Sequence, residues 1–156
     1  MIPEIIIGLI AAAVSSLGFA LMFRVRPRHL WVMALGGLLC DAIYLLAKAF
    51  TGGEFFPNLA AAILAAFFSE ACAHNLRAPV QIYLIPVLVP LIPGGLLYYA
   101  MYYLLAMDYS LFTDYLLVTL ETALGLSGGI IVGLAVANAF LSVRKRISSQ
   151  GLTRKP

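Results

Sequence analysis

The feature that most restricts this chain is the length of its uncharged runs. Residues 5 to 23 form a stretch of 19 without a charged side chain. As a helix that stretch would extend about 28 Å, enough to cross the hydrocarbon core of a bilayer. Residues 80 to 107 form another of 28. Only 11% of the 156 residues are charged, too few to coat a soluble domain of this size. The expected fold class is therefore all-α integral membrane, with about five transmembrane helices. Their segments are about 5–23, 30–50, 55–74, 80–107 and 115–142, joined by short links. Residues 1–147 read as one transmembrane domain and 148–156 as a disordered cytoplasmic tail.

The flank Met1-Ile2-Pro3-Glu4 lacks the basic n-region of a cleavable leader, so the first segment is expected to remain as a helix. Cys40 and Cys72 fall inside apolar segments with no partner at metal-ligand spacing, and read as small core residues. His29 and His74 form no ligand set with the carboxylates, so neither a metal nor another cofactor is expected. There is also no basic domain to hold a nucleic acid.

Charge asymmetry sets the expected orientation. Placing the first link in the cytoplasm puts nine of the ten basic residues on that side, leaving Lys48 alone outside. Glu4, Glu54, Asp108 and Asp114 then lie on the outer side. The N-terminus is expected outside and the C-terminus in the cytoplasm. Trp31, Tyr102, Tyr103, Tyr109 and Tyr115 fall near the two interfaces, where amphipathic rings anchor a bundle.

Two stripes of small residues repeat every four positions: Gly8, Ala12, Ser16 and Ala20 in the first segment, and Gly125, Gly129, Gly133 and Ala137 in the fifth. Such rows let backbones approach closely in lipid. Ordinary packing within the chain would explain them. Five short-looped helices offer few internal faces for two rows, however, so a second subunit or a homo-oligomer is also expected.

Three carboxylates remain inside helices: Asp41, Glu70 and Glu121. An ionised one near the bilayer centre costs about 2.5–3.5 kcal/mol on insertion scales, so such groups face a polar interior. Each is either a structural hydrogen-bonding group or a proton carrier for a coupled transporter, since a buried carboxyl can load and release a proton near neutral pH. Glu70 has His74 one turn on, and that pair reads most simply as interfacial and hydrated.

The fourth segment is expected to be interrupted. Pro86, Pro90 and Pro93 remove backbone donors and clash with the preceding turn, and Gly94-Gly95 follows at once. Two half-helices, about 80–92 and 96–107, would meet near mid-membrane. Freed backbone groups at that depth need protein, water or ligand. The second half-helix would present the N–H groups of Gly94 and Gly95 to an anion, with the Tyr98 hydroxyl one turn on.

The run Ile85-Pro86-Val87-Leu88-Val89-Pro90-Leu91-Ile92-Pro93-Gly94-Gly95, followed by Tyr98-Tyr99 and preceded by Arg77-Ala78-Pro79, resembles the proline–glycine signature of the threonine/serine exporter family. The similarity is to its small component, which corresponds to the C-terminal half of single-chain members. The resemblance implies a membrane exporter of small carboxylate metabolites driven by the proton gradient. The substrate would be threonine and serine, or a C4-dicarboxylate such as succinate. It also implies a larger partner subunit of the same family. Pro90, Pro93, Gly94 and Gly95 match the signature and, with Tyr98, form the expected substrate site. Asp41, Glu121 and Glu70 are the expected proton-coupling groups on physical grounds alone. A non-transporting assembly subunit is the rival reading. An enzyme is not expected, because no nucleophile and base share a face and a second membrane aspartate is lacking.

Overall fold

The computed structural model describes residues 2–152, and the side chains of residues 5–140 among them. The described chain is helical throughout: α1 (Ile2–Met22), α2 (Leu30–Phe50), α3 (Phe55–Leu76), α4 (Gln81–Leu88), α5 (Gly94–Leu105) and α6 (Tyr109–Leu152). Short 3-10 turns at Pro27–His29 and Val89–Leu91 precede α2 and extend α4. Four helices are long and apolar enough to span a membrane, or five if the bent pair Gln81–Leu91 and Gly94–Leu105 makes one span. α6 carries its helix through Leu152, into the segment from Ser148 expected to be disordered. Residues 153–156 of that tail lie outside the described residues, as do the side chains of Glu4 and of the basic cluster beginning at Arg144.

Three helix ends share one device. Arg24, Arg77 and Met107 adopt left-handed φ values of 55°, 50° and 60°. The next N–H turns back five residues: Val25 to Ala20, Ala78 to Ala73 and Asp108 to Tyr103, at 3.0, 3.3 and 3.0 Å. This satisfies carbonyls that the helix end would otherwise leave open. After the first two, Pro27 and Pro79 prevent the helix from resuming at once.

The last link is shorter than expected. The sequence suggested a loop from Asp108 to Asp114, but α6 begins at Tyr109. Asp108 is the reason: its Oδ1 accepts the Leu111 N–H at 3.2 Å, capping the helix directly after the preceding turn.

α3 is the hub of the bundle. Of its span, 44% is buried inside the protein, against 17–22% for α1, α2 and α6. It packs on α6 on one side and on α2 and α4 on the other, while α1 closes against α2 and α4. Ala61, Ala62, Ala65 and Ala66 are fully buried and give α3 two shallow faces. A Cβ on Gly129 would meet the Leu59 carbonyl oxygen at 2.5 Å and the Ala62 Cβ at 2.6 Å. One on Gly133 would meet the Ala66 Cβ at 2.6 Å, and one on Gly125 would collide with the Phe55 carbonyl oxygen. The first stripe docks on α2, where Gly37 leaves room for Ser16 and Ala12. Packing within the chain thus takes up the row on α6 and the Ala12–Ser16 part of the row on α1, while Gly8 stands at an open cavity. α3 and α2 bring complementary small residues that hydropathy alone does not reveal.

The fourth segment is broken, with slightly different bounds. Its halves bend by 52°. Ile92 is extended (φ −67°, ψ 126°), as a residue preceding proline prefers. Pro93 then adopts φ −76°, ψ 51°, an inverse γ-turn in which the Gly94 N–H donates to the Ile92 carbonyl at 2.7 Å. α4 remains wedged among α1, α2 and α3, while α5 leaves to pack on α6. Tyr103 and Tyr115 stack on each other across that contact at 5.4 Å.

Candidate functional site

Two cavities meet at the break. One, of about 600 Å³, opens between α1, α2 and the turn after α4; Gly8, Ser15, Asp41, Val89 and Pro90 are among its walls. The other, of about 310 Å³, lies under the α2–α3 turn, and its walls include Asp41, Tyr44, Lys48, Glu54, Pro90 and Pro93. Asp41 and Pro90 belong to both. Asp41 is half-buried, and its Oδ2 lies 4.0 Å from where a Cβ on Gly8 would sit. The small residue there therefore leaves the carboxylate room against α1. Among the described residues no ion-pair partner faces Asp41.

The second cavity carries a polar network that sequence reasoning passed over. Lys48 pairs with Glu54 through Oε1. Lys48 also donates to the Tyr44 hydroxyl at 3.0 Å, and that hydroxyl donates to Glu54 Oε2 at 2.8 Å. The Glu54 carbonyl accepts from Asn58 Nδ2 at 2.7 Å. A signal for part of this was present: Asp41, Tyr44 and Lys48 stand at i, i+3 and i+7, one face of α2. Glu54 joins them only because the α2–α3 turn folds back, which spacing does not encode.

The expected substrate residues divide. Pro90 and Pro93 stand at the cavities. Gly94, Gly95 and Tyr98 do not: both glycines are exposed with no other chain atom near their Cβ positions. Tyr98 is 66% exposed and sits edge-on to Tyr99. The N–H of Gly94, expected to be open to an anion, is taken by Ile92. The expected coupling residues divide too. Glu121 is exposed, its Oε2 accepts the Glu54 N–H at 3.4 Å, and it lines neither of the two cavities that share Asp41. Glu70 lines a separate cavity of about 230 Å³ with His74, Asn75 and Phe140. The structure therefore brings Asp41 together with Lys48 and Glu54, and leaves Glu70 apart.

A helix pair broken inside an apolar bundle, with a carboxylate and a cation lining the cavity at the break, is a feature that membrane carriers use. Comparison with known families agrees: the family described as Threonine/Serine exporter, ThrE, matches residues 8–137. The chain belongs to the threonine/serine exporter family. The matched region contains Asp41, Lys48, Glu54, the proline–glycine break and Glu121, and with them the described walls of both cavities except Ile5. No curated protein and no solved structure matches the chain. Membership in this exporter family, together with several membrane-length apolar helices, makes this a multi-pass membrane protein.

Proposed function

We propose that this chain is the small membrane subunit of a proton-coupled exporter of small carboxylate metabolites, acting with a larger partner subunit of the same family. Its N-terminus would lie outside and its C-terminus in the cytoplasm. The observation that carries the reading is the position of Asp41, in the shared wall of two cavities beside the Pro90 break. A carboxylate there, with no fixed cation among the described residues, can take a proton from one cavity and give it to the other. Gly94, Gly95 and Tyr98, exposed on this chain, would complete the path against the partner.

The charges of the second cavity favour one substrate class. Among its described lining residues stand one ammonium, Lys48, and two carboxylates, Asp41 and Glu54. An amino acid such as threonine or serine carries both charges that this lining can receive, a carboxylate for Lys48 and an ammonium for the acidic side. A C4-dicarboxylate would turn its second carboxylate toward Asp41 with no cation to receive it.

The decisive experiment is export of labelled threonine and succinate from cells co-expressing the chain with a larger subunit of the same family. Asp41→Asn should abolish gradient-driven export, while membrane insertion and the yield of co-purified partner stay at wild-type levels. Undiminished export would remove Asp41 from the mechanism. Loss of export only in step with loss of assembly would favour the scaffolding role.

A further inference from the structure

Lys48 and Glu54 hold the α2–α3 turn over the second cavity. Glu54 spends both carboxylate oxygens on this contact, one on Lys48 and one on Tyr44. Its backbone is tied in turn to α6 through the Glu121 carboxylate and to α3 through Asn58. The two partners differ in how firmly they are mounted. Lys48 stands on the last turn of α2. Glu54 follows Thr51-Gly52-Gly53, where a Cβ on Gly52 would meet nothing within 4 Å and one on Gly53 only Glu121 Oε2 at 3.7 Å. The turn has open space beside it to move into once Glu54 gives up its side-chain contacts and the 3.4 Å contact of its N–H to Glu121, whereas Lys48 is carried on a continuous helix.

Lys48 is also the one cation among the described residues lining that cavity. Asp41 lies seven residues before it on the same face of α2, about 10.5 Å along the axis. Among the described residues the group that pairs with Lys48 is Glu54, a carboxylate of the same chemistry as a carboxylate substrate.

We infer that Glu54 is a built-in competitor for the substrate carboxylate, and that the Lys48–Glu54 pair gates this cavity. The inference rests on the reading of the cavity as the substrate site. In the empty protein Glu54 holds Lys48 and keeps the turn closed. An arriving carboxylate exchanges with Glu54 on the ammonium, one charge-assisted contact replacing another, so the exchange has little net cost. The released Glu54 frees the turn, which opens. Tyr44 remains hydrogen-bonded to Lys48 and keeps the ammonium aimed at the cavity. Opening is thereby tied to occupancy, because only a ligand that binds Lys48 displaces the latch.

The test uses the full-length protein in lipid nanodiscs, with any subunit that co-purifies, and measures equilibrium binding of labelled L-threonine and succinate. Glu54→Gln removes the competitor's charge and should tighten threonine binding about tenfold. Lys48→Met should weaken it about tenfold or more, and Lys48→Arg should retain it. The charge exchange Lys48→Glu with Glu54→Lys restores an ion pair but moves the cation onto the turn, so binding should stay weak. In a background with Cys40 and Cys72 replaced by alanine, a cysteine introduced by Gly53→Cys should react faster with maleimide when threonine is added. In Glu54→Gln it should react fast without ligand. Wild-type affinity in Lys48→Met would overturn the inference. So would equal weakening by Lys48→Met and Glu54→Gln that the charge exchange repairs, since the pair would then be a structural brace. If the wild-type protein binds neither ligand, the reading of the cavity as a substrate site fails and takes the gate with it.

Discussion

At Gly129 one added carbon decides whether two helices can touch. Its Cβ would stand 2.5 Å from the Leu59 carbonyl oxygen, a backbone atom with no freedom to swing aside, whereas a Cβ on Gly128 would meet only Leu59 Cδ1 at 3.8 Å. Gly129→Ala should therefore destabilise the bundle by about 1–3 kcal/mol, the usual cost of forcing extra volume into a packed contact. Gly128→Ala, gaining helix propensity without a clash, should be neutral or stabilising by up to about 1 kcal/mol. Thermal unfolding of the two variants in the same detergent checks the contrast. Equal effects would mean that α3 and α6 are not in van der Waals contact at this level. The four-residue spacing announced the row; which glycine touches backbone and which touches a flexible side chain needed the partner helix.

At the scale of the element, the break after α4 is a backbone decision made by prolines. Pro93 forces Ile92 out of the helical region and makes the γ-turn that begins α5. Replacing Pro90 and Pro93 together with alanine should let the helix run on and straighten the 52° bend. Spin labels at Ile85 and Met101, both exposed, should then move apart toward about 24 Å, the rise of 16 residues in a continuous helix. Export should fall at the same time, because Pro90 would no longer turn beside Asp41. An unchanged label distance would show that tertiary packing, rather than proline, holds the bend. This element was legible in advance because three prolines and a glycine pair act locally. The fate of its second half was not: a 52° bend sends α5 onto α6, where the Tyr99, Tyr103 and Tyr115 rings meet, and so leaves Gly94, Gly95 and Tyr98 on an open face.

For the whole molecule, the distribution of charge bears on orientation. Arg24, Arg26, Arg28 and Arg77 share one end of the bundle, and Lys48 and Glu54 pair at the α2–α3 turn, one helix length away. The excess of arginine favours a cytoplasmic first end. With Cys40 and Cys72 removed, a membrane-impermeant thiol reagent added to intact cells should label Gly53→Cys and spare Arg26→Cys. The opposite pattern would invert the proposed topology, and with it the direction in which the Lys48–Glu54 pair faces. Because the small-residue contacts of α1 with α2 and of α6 with α3 are made inside the chain, that inversion would change sidedness and leave the packing intact.

The sequence alone determined that this protein lives in a bilayer as an all-helical bundle of four or five membrane-length apolar segments, where one of them breaks, and to which exporter family it belongs. Each of these depends on neighbours along the chain: run length, proline next to glycine, and a local signature. Tertiary structure decided the site. Asp41 was visible as a membrane carboxylate, but its company was not, since Lys48 and Glu54 looked like an outlying cation and a loop acid. They meet because Gly52-Gly53 turns α3 back along α2 and because α4, wedged between α1 and α3, brings Pro90 to the same wall. A charge pattern read along a line contains no information about which side chains a turn will fold together.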